Sequence, residues 1–178
     1  WREVTTWNVV AVLPGSDPAA RGEYVVVGSH LDHVGDWPRL NPGADDNASG
    51  SAALLEVARA AGSLKSRPRR SVVFVWFAAE ELGLRGAEHF ANHPPAGFTK
   101  CVAVVNLDML GTGTGFYVAG GENFPKIRAA LGSGTGGPVR VIVPASWENG
   151  AKFAMSRSVV LRRRVKGLPP PLVLVSTV

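Results

Sequence analysis

Apolar residues recur along this chain in two rhythms that succeed one another. The runs WNVVAVLPG (7–15), GEYVVVGSH (22–30), RSVVFVWFA (70–78), CVAVVNLDM (101–109) and GPVRVIVP (137–144) are short, rich in valine and bounded by Gly, Pro or polar residues, which predicts strands. The first two are joined by the turn-rich GSDPAARGE. Between them, SGSAALLEVARAAGSL (49–64) places Ala53, Leu54, Val57, Ala58 and Ala61 at helical spacing and stops at Gly62. LRGAEHFANHPP (84–95) reads as a short helix closed by prolines, and ENFPKIRAALG (122–132) as another. The run 70–78 is almost continuously apolar, as in a strand covered on both faces. Helices interleaved with buried strands predict an α/β sandwich around a mainly parallel or mixed sheet. Neither an internal repeat nor a domain linker is visible.

Composition changes this picture little. The 178 residues are 46% hydrophobic, enough for one domain with a sizeable core. No run of about 18 apolar residues indicates a membrane span. The first residues alternate like a strand and lack the basic and apolar regions of a signal peptide. A single cysteine, Cys101, excludes an internal disulfide framework, and its neighbours KCVAVVNL predict a buried strand thiol. The net charge of +5 is local: residues 151–178 hold six basic side chains and no acidic one, leaving 13 basic against 14 acidic in the first 150. That terminal charge reads as solvated, and without aromatic interleaving or a helix-turn-helix pattern it argues against nucleic acid as a partner.

The chemistry lies where the strands stop. His30 and Asp32 follow YVVVGS, Glu80 and Glu81 follow VVFVWFAA, and Asp108 follows VAVVNL. Open α/β sheets carry their ligand sites at the carboxyl ends of strands, so residues distant in sequence can converge there. The loop NPGADDNASG adds Asp45 and Asp46 just before a helix whose N-terminal amides favour anions. Each has an ordinary alternative: Asp46 or Asn47 as a helix cap, His30 as a loop residue, Glu80 and Glu81 as the start of a helix. Together they favour a cation, because carboxylates gathered beside a histidine repel one another unless one compensates them. Nitrogen and oxygen donors without a thiolate suit zinc, with manganese and cobalt as alternatives, and a carboxylate-rich set suits two ions.

The succession GSHLDHVG, NPGADDNASG, FAAEELGLRGAEHF and NLDMLG, from about Val25 to Gly111, resembles the secreted two-zinc aminopeptidases, metal-dependent exopeptidases typified by bacterial leucyl aminopeptidases. The resemblance implies a three-layer zinc-exopeptidase-like domain spanning 1–178 and cutting peptides with a free N-terminus, located outside the cell or in the periplasm. It implies that His30 and Asp108 bind one zinc, that Asp45 bridges two, and that Glu81 binds the other. Glu80 would be the general base, Asp32 would orient His30 by accepting its other imidazole N–H, and the Asp45–Asp46 peptide would be cis. A single-zinc relative such as a glutaminyl cyclase is an alternative with the same fold.

The pattern departs from the family late in the chain. GLPPPLVLVSTV (167–178) resembles the family's last strand, but Ser156-Arg157-Ser158 stands upstream where Ser-Asp-His is common, and no histidine follows His93. On this reading the second zinc has only Asp45 and Glu81, and a fragment, a shifted reading frame or an inactive metal-binding module is an expectation to set beside the enzyme. Other signals carry less. The glycines Gly132, Gly134 and Gly137 match a dinucleotide pattern in the wrong strand–helix order, and GTGTG lacks the Lys-Ser/Thr of a phosphate loop. Asn47-Ala48-Ser49 is a sequon inside the proposed metal loop. His33 lies near the site without an assigned role, His89 and His93 suit a solvated helix face, and Trp147 and Phe153 suit packing or a side-chain pocket.

Overall fold

The computed structural model describes residues 4–36 and 38–113 and, beyond these, the backbone of three strands between 116 and 163. Strands β1 (Val9–Leu13), β2 (Glu23–His30), β3 (Ser71–Phe77), β4 (Lys100–Leu107), β5 (Phe116–Ala119), β6 (Arg140–Ile142) and β7 (Ser158–Arg163) form one mixed sheet in the order β1-β3-β2-β4-β7-β5-β6. Helices α1 (Gly50–Gly62) and α2 (Arg85–Asn92) are the two α-helices among the described residues. The two strands that precede α1 are not neighbours: β3 lies between them, antiparallel to β1 and parallel to β2. Strands β2, β4 and β7 continue in parallel.

The strand period of two explains how β3 is covered on both sides. Val73, Val75 and Phe77 pack with Tyr24, Val26 and Val104 against Ala87 and Phe90 of α2. Phe74 and Trp76, on the opposite face, pack with Leu107 against Leu54 of α1. The sheet is therefore the middle layer, with one helix on each side, and Val26, Val73, Val75 and Leu54 have no solvent exposure. Burying each such side chain contributes about 1.5–3 kcal/mol. Gly28 of β2 makes room for this packing, since a Cβ there would lie 2.5 Å from the Phe77 ring.

Helix α1 ends where its sequence predicts, and Ser63 closes it by donating from Oγ to the carbonyl of Arg59 at 3.0 Å. Cys101 lies half-buried on β4 against the α2-side core. The expected strand 137–144 contains β6. Strands β5 and β7 have no counterpart in the sequence reading; β7 falls in the basic stretch read there as solvated charge, yet it pairs with β4. The helix expected over 122–132, the strand expected over 167–178, and Trp147 and Phe153 lie outside the described residues.

Candidate metal centre

Parallel strands β2, β3 and β4 present their carboxyl ends along one edge of the sheet, and each is followed by an acidic or imidazole side chain. His30, the last residue of β2, is 2% exposed. Its Nε2 lies 3.1 Å from Oδ1 of Asp46, 3.6 Å from Oδ1 of Asp108 and 4.0 Å from Oε2 of Glu80. One donor atom each from His30, Asp46 and Glu81 falls within 4.8 Å of the others. The structure thus gathers His30, Glu80, Glu81 and Asp108, all expected at the site from sequence.

Asp45, the residue expected to bridge, is not among them; the aspartate of this loop that reaches His30 is Asp46. The Asp45 carboxylate turns toward the segment after β4, where Oδ1 accepts from the Gly111 amide at 2.7 Å and Oδ2 from the Thr112 hydroxyl at 2.5 Å. The neighbouring Asp46 faces His30 instead. The cis peptide is likewise displaced by one bond and joins Asp46 to Asn47. Asp46 departs from helical backbone angles (φ −108°, ψ 91°), and the two adjacent carboxylates reach different partners.

Asn47 holds the loop in place. It is 1% exposed, and its Nδ2 donates to Ser29 Oγ and to the Leu107 carbonyl at 3.1 and 3.0 Å, while Oδ1 accepts from the amides of Gly50 and Met109. The bond to Gly50 is the helix-capping role considered from sequence; the other three tie the start of α1 to the ends of β2 and β4. Burial on this scale also removes Asn47 from consideration as a glycosylation acceptor. Gly50 allows the close approach, because a Cβ there would collide with Asn47 Oδ1 and the Leu107 carbonyl.

Asp32 acts on different partners from those expected. His30 Nδ1 lies 3.0 Å from the backbone carbonyl of Asp32 and 3.9 Å from its carboxylate. The carbonyl therefore accepts the Nδ1–H, and Nε2 is the nitrogen that faces the cluster. The Asp32 carboxylate accepts from the amides of Glu80 and Glu81 at 3.0 and 3.1 Å, fixing the turn that carries the glutamate pair. Asn8 clamps the same turn, accepting from the Ala78 amide at 3.0 Å and donating to the Gly86 carbonyl at 2.7 Å. Neither Asn8 nor Asn47 stood out as functional in sequence, since isolated asparagines resemble ordinary turn residues there.

Backbone strain collects at this edge. The non-glycine residues of positive φ among those described are Ala79, Leu84 and Met109, at 54°, 60° and 53°. Ala79 immediately precedes Glu80 and Met109 immediately follows Asp108. Each costs on the order of 1 kcal/mol, held by the hydrogen bonds around it.

The electrostatics show a surplus of negative charge. Burial pulls the His30 imidazole down, but Asp108, Asp46 and Glu80 outweigh it and push it up to about 10. Burial pushes Glu80 up to about 7; His30 opposes this, and Asp108, Glu81 and Asp46 add to it. The cluster thus retains protons as a substitute for a cation. Imidazole nitrogen and carboxylate oxygen, without thiolate, form a donor set that fits zinc. His89 on α2 and His93 just past its end stand apart with rings stacked at 4.4 Å, and both are exposed.

Comparison with known proteins bears on the family and the fold. Residues 8–142 match the model of peptidase family M28. Leupeptin-inactivating enzyme 1 of Streptomyces exfoliatus is 39% identical over 116 residues, covering 64% of this chain and 25% of that protein. An aminopeptidase of Pseudomonas aeruginosa is 39% identical over 127 residues, covering 69% of this chain and 22% of that protein. The crystal structure of a zinc aminopeptidase from Bacillus subtilis superimposes with a TM-score of 0.70 at 26% identity, covering 92% of this chain and 42% of that one. The chain spans about a quarter of the length of these curated relatives. With the match running through every segment of the strand-end cluster, the chain belongs to peptidase family M28.

Proposed function

We propose that this chain carries the metal centre of a zinc-dependent aminopeptidase acting on peptides with a free N-terminus. The observation that carries the reading is the meeting of His30, Asp46 and Glu81 within 4.8 Å, with Asp108 and Glu80 beside His30. In this reading His30 and Asp108 would hold one zinc and Glu81 a second, with Asp46 available to both. Bound there, zinc supplies a water acidified toward neutrality and polarisation of the scissile carbonyl.

The residues of the chain do the rest. His30 is presented by its bond to the Asp32 carbonyl, which keeps Nε2 unprotonated toward the centre once a cation replaces the proton. Glu80 lies 4.0 Å from His30 Nε2, and beside bound cations its carboxylate would be ionised, so it could take a proton from water and return it to the leaving amine. The turn fixed by Asp32 and Asn8 keeps Glu80 and Glu81 in separate roles. The secreted location implied by the resemblance belongs to the same proposal. Among the described residues no helix is long and apolar enough to cross a membrane.

Zinc content and hydrolysis of leucine 4-nitroanilide, measured side by side, test the assignment. Glu80→Ala should retain zinc and lose about 10²–10⁴-fold in rate, whereas Glu81→Ala should lose zinc. A Glu80→Ala variant as fast as its parent in excess zinc would refute the role given to Glu80. An inactive metal-binding module of the same fold is the other reading. It predicts a parent that binds zinc and does not turn over.

A further inference from the structure

His33 lies just past the end of β2, and the family resemblance assigns it nothing. Its Nδ1 is 2.9 Å from Oε1 of Glu81, a contact between residues 48 apart in sequence. Neither partner is free on the surface: the side chains are 24% and 20% exposed. The ring is also seated from the other side. Gly43, at φ +66°, approaches so closely that a Cβ there would lie 2.9 Å from His33 Cβ and 3.1 Å from its Cγ. That left-handed backbone favours glycine. His33 therefore sits between the turn that carries Glu81 and the loop that carries Asp46.

Its position separates two roles. The donor atoms of His30, Asp46 and Glu81 meet within 4.8 Å and Asp108 joins them at His30 Nε2, whereas His33 touches this group at Glu81. For Nδ1 to bond a carboxylate it must carry the proton, so His33 acts as a donor to Oε1 and leaves Oε2 for the ion.

We propose that His33 is a positioning residue that orients the Glu81 carboxylate and so sets the affinity of the zinc that Glu81 holds. This rests on the two-zinc reading above. Partners that orient a ligand in this way are worth about 10–100-fold in metal affinity. Asparagine can replace the donor, because its Nδ2 occupies the same branch position as the imidazole Nδ1. Glutamine places its amide one carbon farther out.

The experiment is a zinc titration of the protein against a chromophoric chelator that resolves a tighter and a weaker ion, repeated for His33→Ala, His33→Asn and His33→Gln. The expected result is that His33→Ala weakens one ion by about 10–100-fold and leaves the other unchanged. His33→Asn should recover most of the loss, and His33→Gln should not. Unchanged affinity for both ions in His33→Ala overturns the proposal. So does equal weakening of both ions without rescue by asparagine, which marks a general loosening of the fold. A parent protein that binds no zinc overturns the metal reading itself and this proposal with it, and it is recognised by a flat titration before any variant is made.

Discussion

Replacing Asp32 with asparagine separates two ways in which that residue can serve the centre. The carboxylate accepts two backbone N–H groups, from Glu80 at 3.0 Å and Glu81 at 3.1 Å. An asparagine of the same size keeps one acceptor oxygen and turns an NH₂ group toward the other donor. One charge-assisted bond is lost and the second becomes neutral. With hydrogen bonds to charged groups worth about 1.5–3 kcal/mol each, the expected loss is about 2–4 kcal/mol. Urea unfolding in the presence of a chelator reads this directly: at a slope of about 2 kcal/mol per molar, the midpoint should fall by about 1–2 M. The His30 tautomer should not change, because its Nδ1 bonds to the Asp32 backbone carbonyl, which the substitution leaves in place. Imidazole ¹⁵N shifts of the zinc-loaded protein report the tautomer. A variant with an unmoved midpoint and an altered tautomer would refute this reasoning and restore the carboxylate as the partner of His30.

Four further outcomes follow from the same geometry. Asn47→Ala removes a buried side chain that makes four hydrogen bonds and should cost on the order of 3 kcal/mol or more in chemical denaturation; a loss below about 1 kcal/mol would contradict its place as the loop's anchor. Gly50→Ala, ordinarily favourable in a helix, should instead destabilise by about 1–3 kcal/mol, since the added Cβ meets Asn47 and the Leu107 carbonyl; a rise in melting temperature would show that the contact yields. Asp46→Ala should lower zinc content while Asp45→Ala keeps it, and the reverse pattern would return the ligand role to Asp45. In chelator, His30 and Glu80 both hold their protons more tightly folded than unfolded, at about 10 against 6.5 and about 7 against 4.5. Each therefore contributes stability that is present below the unfolded value and lost as pH rises, for Glu80 between 4.5 and 7 and for His30 between 6.5 and 10. The metal-free melting temperature should thus fall from pH 6 to pH 9, and a flat or rising profile would exclude these shifts.

What the sequence makes legible is what depends on periodicity. The apolar run of β3, its two covered faces and the helical spacing of α1 are properties of residues two to four apart, and the structure repeats them, except that Val57 of α1 is exposed. The strand-end rule extends this reach, because it needs only the order of strands and their direction to bring His30, Glu80, Glu81 and Asp108 to one edge. Strands β5 and β7 escape because one is only four residues long and the other is flanked by arginines, so pairing with neighbours decides them more than pattern does.

The pair Asp45-Asp46 marks where that kind of reading ends. The two side chains are chemically identical, adjacent, and equally well placed before α1. What distinguishes them is a set of partners more than 60 residues away. Gly111 and Thr112 take the carboxylate of Asp45, and the Asn47 side chain pins the next step of the loop to Leu107 and Met109. Those contacts set the loop's rotation, and the rotation leaves Asp46 facing His30. None of them has a period, a fixed spacing or a required residue type, so they leave no local trace. The same holds for His33, whose meaning comes from a glutamate 48 positions later and from a glycine that lets the loop lie against its ring. A motif can therefore bring the right residues to the right edge of the sheet, while the choice among neighbours inside it is made by the loops that the motif does not describe.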